Sequence, residues 1–289
     1  MPLYRYLVIF FAIYTFANDL NHFTAIPDDI VYDKKKASLG KIIFFEPSFS
    51  SNGLISCASC HSIEFDESIK QSNAPTLLNS YLNYEYFISK NFNTKSEQIP
   101  GHQNIDPSFN YDKNHIVKII NSSPLYKQKF RDIYKSAKID FSHFVDVIVE
   151  FQKSLLTPNS KFDRYLKGSY KLTKQEKMGL DDFMQYGCIT CHNGVNLGGN
   201  SYQVRGVMNL SKPCLNIELD NIKRYKVPTL RNIALTAPYY HDGRVKNLKD
   251  TLKLAGLHNI GIEIEEKSIY NLIHFLNTLT GKKPEILSE

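Results

Sequence analysis

Apolar side chains recur with a helical period in two long stretches of this chain, one near its middle and one near its C-terminal end. Between them, Thr173 and Glu176 have the spacing of a capping box, which predicts a helix that runs to about Tyr186 and ends at Gly187. Segments that alternate apolar and polar residues, as β-strands do, are scarce. The pattern therefore predicts a mostly α-helical protein with long connecting loops. The apolar positions of the two stretches are Phe141, Phe144, Val145, Ile148, Phe151 and Leu155, and Ile269, Leu272, Ile273, Leu276 and Leu279.

The composition narrows the class of protein. Of the 289 residues, 42% are hydrophobic and 22% are charged, which excludes an intrinsically disordered or collagen-like chain. No apolar run reaches the roughly 18 to 20 residues that span a bilayer, so the body of the chain is expected to be soluble. The net charge of +6 is too small for the basic surface of a nucleic-acid-binding protein, and no nucleic acid is expected as a partner.

The N-terminus has the pattern of a secretory signal peptide. Arg5 precedes an apolar run over 7–17, which ends in small Ala17 and is followed by polar Asn18. Residues 1–17 are therefore predicted to be a cleaved signal. An uncleaved anchor or a short buried helix are the alternatives, because both have a similar composition.

Four of the five cysteines lie in two C-x-x-C-H strings, and this spacing is typical of covalent haem attachment. Two thiols on one turn can add to the two vinyl groups of a haem, and the adjacent histidine then lies under the iron as an axial ligand. The sequence predicts two covalently attached haem c groups. The predicted haem-binding residues are Cys57, Cys60 and His61 in the first string and Cys188, Cys191 and His192 in the second.

Two other interpretations of the strings are weaker. A thioredoxin-like dithiol lacks its βαβ context, and a zinc site leaves both histidines unexplained. The fifth cysteine, Cys214, is a single thiol for which a structural role is expected. Haem c is normally attached outside the cytoplasmic membrane, so together with the signal peptide the strings predict a periplasmic protein.

The stretch 156–160 divides the chain, because Pro158 stops a helix and its neighbours favour turns. The prediction is two cytochrome c-like haem domains over 20–160 and 161–289, called here the first and second half. The haem string is the only internal repeat that we identify from the sequence.

Further segments resemble the di-haem bacterial cytochrome c peroxidases and their relative MauG. The resemblance runs in order from about residue 35 to 282 and is most specific in the second half. The segments that carry it are 39–45 leading into 55–57, Asn-Ala-Pro-Thr-Leu-Leu-Asn at 73–79, Gly-Cys-Ile-Thr-Cys-His-Asn-Gly at 187–194, Lys-Val-Pro-Thr-Leu-Arg-Asn at 226–232 and Thr-Ala-Pro-Tyr-Tyr-His-Asp-Gly at 236–243.

This resemblance implies that peroxide reacts at the first haem and that the second haem relays electrons from a small cytochrome c or copper protein. It also implies a calcium ion between the domains, with Asn73, Thr236 and Pro238 where the family supplies ligands. His241 matches a family histidine beside the second haem. Ordinary turn chemistry and a hydrogen-bonded loop histidine are the alternatives for these four residues. A homodimer is compatible with the resemblance.

At the second haem the chain departs from the family. Where the peroxidases have a methionine ligand and MauG-like members have a tyrosine, this chain has Ala255, which cannot bind iron. Asn247 is predicted to cap a helix on which Leu248, Leu252 and Ala255 share one face. His258 is our preferred sixth ligand; Met208, an open site, or a water are the alternatives, and a solvated loop histidine is the competing interpretation of His258.

At the first haem the loop 62–72 lacks the displaceable histidine of the peroxidases. The distal side of that haem is therefore predicted to be open, although His102 and His115 come later in the chain and are within reach of this site in principle.

Two groups around the first haem are also changed. The chain has no tryptophan, and Ile88 takes the position of the family's bridging indole, with Tyr84 and Tyr86 nearby. For the distal acid/base groups, Gln98 matches the family, whereas Asp106 is the closest carboxylate to a missing glutamate. A turn aspartate is the competing interpretation of Asp106.

The sequence therefore predicts a periplasmic di-haem peroxidase that reduces hydrogen peroxide to water with electrons from a small redox protein. MauG-like oxidation of a side chain on a partner protein is the enzymatic alternative. A di-haem electron carrier or haem sensor without catalytic activity is the non-enzymatic one.

Overall fold

The computed structural model describes residues 20–61, 63, 74–84, 112–204, 224–240 and 242–288. These residues are mostly helical, as the sequence predicts. In this part of the chain, every helix is too short or too polar to cross a membrane. The α-helices are α1 (Lys34–Phe45), α2 (Lys113–Ser122), α3 (Pro124–Tyr134), α4 (Phe141–Lys153), α5 (Lys161–Leu166), α6 (Lys174–Gln185), α7 (Leu248–Ala255) and α8 (Glu266–Asn277).

Short elements connect the α-helices. Strands β1 (Tyr202–Val204) and β2 (Arg224–Lys226) form an antiparallel pair in which Gln203 faces Tyr225. A π-helical turn (Gly256–Ile260) follows α7 directly. The 3₁₀ turns are Leu20–His22, Pro47–Phe49, Cys57–Ser59, Ser80–Leu82, Cys188–Thr190, Ile233–Leu235 and Glu285–Leu287.

Side-chain caps fix where most of the helices begin, because the first backbone N–H groups of a helix lack intrahelical acceptors. The predicted capping box is confirmed: the Thr173 N–H donates to Glu176 Oε2 at 2.8 Å, and the Glu176 N–H donates to Thr173 Oγ1 at 3.3 Å. Gly187 follows α6 with φ +75°, a conformation that glycine adopts without strain. The capping residues are Asp33, Asp112, Ser123, Asp140, Ser160, Thr173 and Asn247.

The apolar repeats form helices that end before the last apolar position of each stretch. Helix α4 ends at Lys153, before Leu155. Beyond that point the Leu155 carbonyl accepts the Asn79 N–H at 3.1 Å, and Pro158 has no N–H with which to continue a helix. The terminal repeat lies mainly on α8, which buries Ile269, Leu272 and Leu276.

Each half contains one closely packed pair of helices with a glycine at the contact. In the first half, α1 packs on α4, and a Cβ on Gly40 would lie 2.1 Å from the Val147 carbonyl oxygen. In the second half, α6 packs on α8, and a Cβ on Gly179 would lie 2.0 Å from the Asn271 carbonyl oxygen. Both pairs therefore depend on glycine to let two backbones approach.

The two ends of the described chain pack on the opposite halves. Phe23 joins the core around α6 and α8 and makes an edge-to-face contact with Phe162, with 5.3 Å between ring centroids. Ile286 joins the core around α1 and α4, and its carbonyl accepts a hydrogen bond from Lys41 Nζ at 2.6 Å. The domain boundary between residues 160 and 161 stays a prediction.

Candidate haem-binding sites

The first C-x-x-C-H string forms a tight turn that aims its histidine. The His61 N–H donates to the Cys57 carbonyl at 2.9 Å, and the Ser56 N–H donates to Ser59 Oγ at 3.1 Å. His61 Nδ1 lies 2.9 Å from the Pro75 carbonyl oxygen. A carbonyl only accepts, so Nδ1 carries the proton, and the lone pair is on Nε2, the atom that would ligate iron.

The second string has the same geometry. The His192 N–H donates to the Cys188 carbonyl at 2.9 Å, and His192 Nδ1 donates to the Leu197 carbonyl at 2.9 Å. Burial lowers the pKa of His192, against the opposing effect of backbone hydrogen bonds to Leu197 and Pro228, so the neutral ligating form is favoured. Burial also raises the pKa of Cys188 to about 11, which keeps this sulfur a thiol.

The surroundings of the second turn fit a large flat apolar group. Asn247 caps α7, as predicted, by accepting the Asp250 N–H at 2.9 Å. None of the residues of α7, all of them in the described part of the chain, is buried, although the helix is strongly amphipathic. Its Leu248 and Leu252 lie half-buried against the same core as Cys188. An apolar helix face left partly uncovered against the core that Cys188 also contacts has the character of one wall of a haem pocket.

His258 lies in the π-helical turn that follows Ala255, and only 6% of its surface is exposed. The alternative of a solvated loop histidine is therefore wrong. The turn is held by close packing, since a Cβ on Gly256 would lie 2.7 Å from Ile264 Cγ1. Such π turns often occur at functional sites. Iron ligation by His258 stays a prediction.

Several predicted residues lie outside the described residues: Gln98, Asp106, His241, Asn73, Met208, His102, Cys214, Ile88 and Tyr86. Of the predicted calcium ligands, Thr236 donates through Oγ1 to the Ile233 carbonyl at 3.2 Å, and Pro238 follows a cis peptide bond. Tyr84 is 82% exposed, and His115 Nε2 is buried with no hydrogen-bond partner in the described structure. The calcium site and the distal groups stay predictions.

The haem string is not the only internal repeat, contrary to our expectation from the sequence. Pro-Thr-Leu-x-Asn occurs at 75–79 and again at 228–232, and the two copies have the same local structure. Asn79 and Asn232 both have left-handed backbones, with φ of 59° and 62°, and each precedes a 3₁₀ turn. This repeat was readable in the sequence. It holds both sites in place: the Pro75 carbonyl accepts from His61, and Thr229 Oγ1 donates at 2.8 Å to the Asn196 carbonyl in the loop that follows His192.

The two copies meet at one buried threonine. Thr157 Oγ1 accepts from Asn79 Nδ2 at 2.8 Å and from Asn232 Nδ2 at 2.9 Å. The Thr157 N–H donates to Asn79 Oδ1 at 2.8 Å. Gly281 closes the contact, since its N–H donates to Asn232 Oδ1 and a Cβ there would lie 1.8 Å from the Thr157 carbonyl oxygen. The segment 156–160 is therefore a junction of the two repeats rather than a loose linker.

The second copy carries a charged residue in the core. Arg231 forms an ion pair with Asp163 at 2.9 Å, and both side chains are fully buried. Burial lowers the pKa of Arg231, and the neighbouring carboxylate opposes that effect. The guanidinium also donates to the carbonyls of Val195 and Thr24, while Asp163 Oδ1 accepts the Ile26 N–H at 3.0 Å. The pair thus fastens the N-terminal segment to the loop that follows His192.

Fold and site together define a helical protein with two C-x-x-C-H turns, each with an oriented histidine, and the comparisons give the family. A family model described as di-haem cytochrome c peroxidase matches residues 34–171. The cytochrome c551 peroxidase of Nitrosomonas europaea is 34% identical over 86% of this chain and 81% of the relative. The cytochrome c551 peroxidase of Pseudomonas aeruginosa is 30% identical over 91% of this chain and 86% of the relative. The chain therefore belongs to the di-haem cytochrome c peroxidase family of oxidoreductases, which implies two haem c groups.

MauG proteins are among the relatives as well. The methylamine utilization protein MauG of Methylophilus methylotrophus is 24% identical over 76% of this chain and 71% of the relative. A crystal structure of a MauG-like protein associated with microbial copper homeostasis superposes with a TM-score of 0.71 and 24% identity, covering 90% of this chain and 93% of that one. The fold and the family predicted from the sequence are confirmed.

Proposed function

We propose that this protein is an exported di-haem peroxidase that reduces hydrogen peroxide to two molecules of water, taking up two electrons and two protons. The observation that carries the proposal is the pair of matched turns, in each of which a carbonyl holds the proximal histidine with Nε2 as its ligating atom. The names of the relatives, which are cytochrome c551 peroxidases, support the same reaction.

The two turns have different tasks in this proposal. Cys57, Cys60 and His61 hold the haem at which peroxide reacts. Haem iron with an open face supplies a site where peroxide binds and its O–O bond is cleaved. Gln98 and Asp106 would orient peroxide and move a proton between its two oxygens.

The second turn serves electron entry. Cys188, Cys191 and His192 would hold a haem that supplies electron transfer from a small cytochrome c or copper protein, and His241 is the residue that we assign to its surroundings. Burial of His258 in the turn after α7 supports its assignment as the sixth ligand of this haem. A fully ligated iron suits a relay, because it changes charge without binding substrate.

The proposal also includes a periplasmic location and a bound calcium ion. The predicted signal peptide, residues 1–17, would direct the chain to the periplasm, where its haems are attached. Asn73, Thr236 and Pro238 supply oxygen donors suited to a calcium ion between the halves. A homodimer is compatible with this arrangement.

Peroxide turnover with a reduced small cytochrome c tests the proposal. We expect the purified holoprotein to oxidise two equivalents of cytochrome per peroxide, and the His61→Gly variant to lose at least 100-fold in rate while the spectrum of the second haem is unchanged. The matched variant His274→Gln, on a partly exposed histidine of α8 without a role in the proposal, is expected to keep most of the rate. Wild-type holoprotein that carries two haems but shows no turnover above free haem would refute the reaction.

MauG-like oxidation of a partner protein is the second candidate, and the loop 62–72 favours it because it lacks the displaceable histidine of the peroxidases. Ala255 does not separate the two candidates, since it replaces both the methionine of the peroxidases and the tyrosine of MauG-like members. The test is a peroxide-driven reaction with a protein substrate in place of reduced cytochrome. A mass change on a tyrosine or tryptophan of the partner, with slow cytochrome turnover, would support this candidate over the first.

A further inference from the structure

The loop between His192 and Leu197 sets the hydrogen bond that orients the second proximal histidine. Leu197 is fully buried and has φ +44°, a left-handed backbone that is strained for a branched side chain. Its carbonyl oxygen accepts the His192 Nδ1–H at 2.9 Å. Since this strain persists only if the surroundings enforce it, the anchors of the loop decide how His192 is held.

Two anchors come from the second half itself. Arg231 Nε donates to the Val195 carbonyl at 2.9 Å, and Thr229 Oγ1 donates to the Asn196 carbonyl at 2.8 Å. Both donors belong to the repeat at 228–232, so they fix the loop within its own half.

A third anchor reaches the first half. Asn196 is 1% exposed, and its Nδ2 donates to the Asn79 carbonyl at 3.1 Å and to Asn83 Oδ1 at 2.6 Å. Because the Asn79 acceptor is a carbonyl, the nitrogen of Asn196 has to face it. Asn196 Oδ1 is buried with no hydrogen-bond partner in the described structure, which costs free energy that an apolar side chain would avoid. The residue therefore contributes through its nitrogen.

Asn79 in turn ends the repeat that begins with Pro75, the residue whose carbonyl holds His61. One side-chain amide thus connects the segment that orients the first histidine with the segment that orients the second. The Asn83 side chain also packs tightly on this loop, since a Cβ on Gly199 would lie 2.1 Å from Asn83 Oδ1.

We propose that Asn196 is a positioning residue that ties the Leu197 loop to the first half and so holds the Leu197 carbonyl in place. That carbonyl sets the basicity of His192, and the basicity of His192 in turn sets the reduction potential of the haem that it ligates. The inference rests on the proposed function only in requiring both haems. A hydrogen bond from Nδ1 makes the imidazole a stronger donor and favours ferric iron. Loosening the loop weakens this bond, so the potential of the second haem rises.

Spectroelectrochemical titration of the holoprotein tests the inference without peroxide. We expect Asn196→Ala to favour reduction of the second haem by about tenfold, which corresponds to 59 mV for one electron. Asn83→Ala, a change in the other half, is expected to shift the same haem in the same direction by less. The matched control is Asn200→Ala, because Asn200 bonds only within its own loop, to Asn193 Oδ1 at 2.7 Å, among the contacts described.

The outcomes separate the inference from the proposed function. An unchanged second potential in Asn196→Ala, or an equal shift in Asn200→Ala, overturns the positioning role. If Asn196→Ala fails to take up haem, Asn83→Ala decides alone, and an unshifted potential there overturns the role. Absence of peroxide turnover in the wild type would refute the proposed function and leave the potentials informative.

Discussion

The two halves of this molecule use the same five-residue repeat and differ at its fourth position. In the first half this residue is Leu78, which packs in an apolar core with Phe44 and Phe151. In the second half it is Arg231, which is equally buried but forms an ion pair with Asp163. The backbone turn and the asparagine that follows are the same in both. The comparison teaches that the repeat determines the local turn, whereas the fourth side chain determines what the turn holds together.

The largest expected effect on stability comes from removing the partner of the buried charge in the second half. Asp163→Ala leaves the Arg231 charge buried without its partner, and we expect it to lower the free energy of unfolding by about 3–5 kcal/mol. Chemical denaturation of the holoprotein measures it. The matched control Asp28→Ala removes an exposed ion pair with Lys167 and is expected to change the stability much less, because solvent screens that pair.

A double variant sharpens the same comparison. Arg231→Leu combined with Asp163→Leu gives the second half the apolar solution of the first half, and it is expected to be more stable than Asp163→Ala alone, since paired buried charges are replaceable by apolar groups. A double variant that is no more stable than the single one would show that Arg231 is needed for its bonds to Val195 and Thr24.

Next in size is the effect of filling the glycine contact that lies within the helix pair of each half. Gly40→Ala and Gly179→Ala each place a Cβ within about 2.1 Å of a backbone carbonyl oxygen, and we expect each to cost about 1–3 kcal/mol from forced displacement of the helices. Thermal unfolding of each variant, compared with Ser38→Ala on the exposed face of α1, measures the loss. Similar losses support equivalent helix pairs, and a loss in one half alone would contradict them.

The smallest effect concerns pH, because α4 is capped by a carboxylate and α3 by a hydroxyl. Hydrogen bonds, first from Ser142 and then from His143, lower the pKa of Asp140 to about 2 from its ordinary 3.8. Since the folded-state pKa is the lower one, the cap stabilises α4 fully above about pH 4 and loses this contribution as the pH falls toward 2.

Ser123 caps α3 with a hydroxyl that does not titrate in this range, and the first turn of α3 has no acidic residue. We therefore expect Asp140→Asn, which keeps a capping side chain, to flatten the acid dependence of unfolding, and Ser123→Ala to lower stability without changing that dependence. Circular dichroism between pH 2 and 5 would measure both. An unchanged acid limb in Asp140→Asn would contradict the assignment.

Local chemistry made much of this structure predictable. The C-x-x-C-H strings fix a turn through short-range backbone hydrogen bonds, and the Thr173–Glu176 box needs only neighbouring residues. The helical repeats also followed from periodicity. The second repeat, 75–79 and 228–232, was equally visible in the sequence but went unrecognised, because it has no haem-binding group of its own. It acts through structural contacts, such as the Pro75 carbonyl with His61 and Thr229 with the loop after His192.

Other features depended on residues far apart in the chain. The sequence left His258 between a solvated loop and a buried position, and only the tertiary structure, which buries it in the π-helical turn after α7, decided for burial. No sequence pattern around Asn196 indicates that its side-chain amide donates to the Asn79 carbonyl, 117 residues away. The packing of Phe23 and Ile286 in the cores of the opposite halves likewise depends on residues far apart in the chain.

The sequence by itself determined the chemistry of this protein: two haem-binding strings, a helical fold, and membership of the di-haem peroxidase family. These follow from spacing within a turn or a helix, where neighbours in the chain are neighbours in space. Tertiary structure decided how the two strings are connected, through Thr157, Arg231 and Asn196. Such contacts are set by packing and burial between distant segments, which no local pattern specifies.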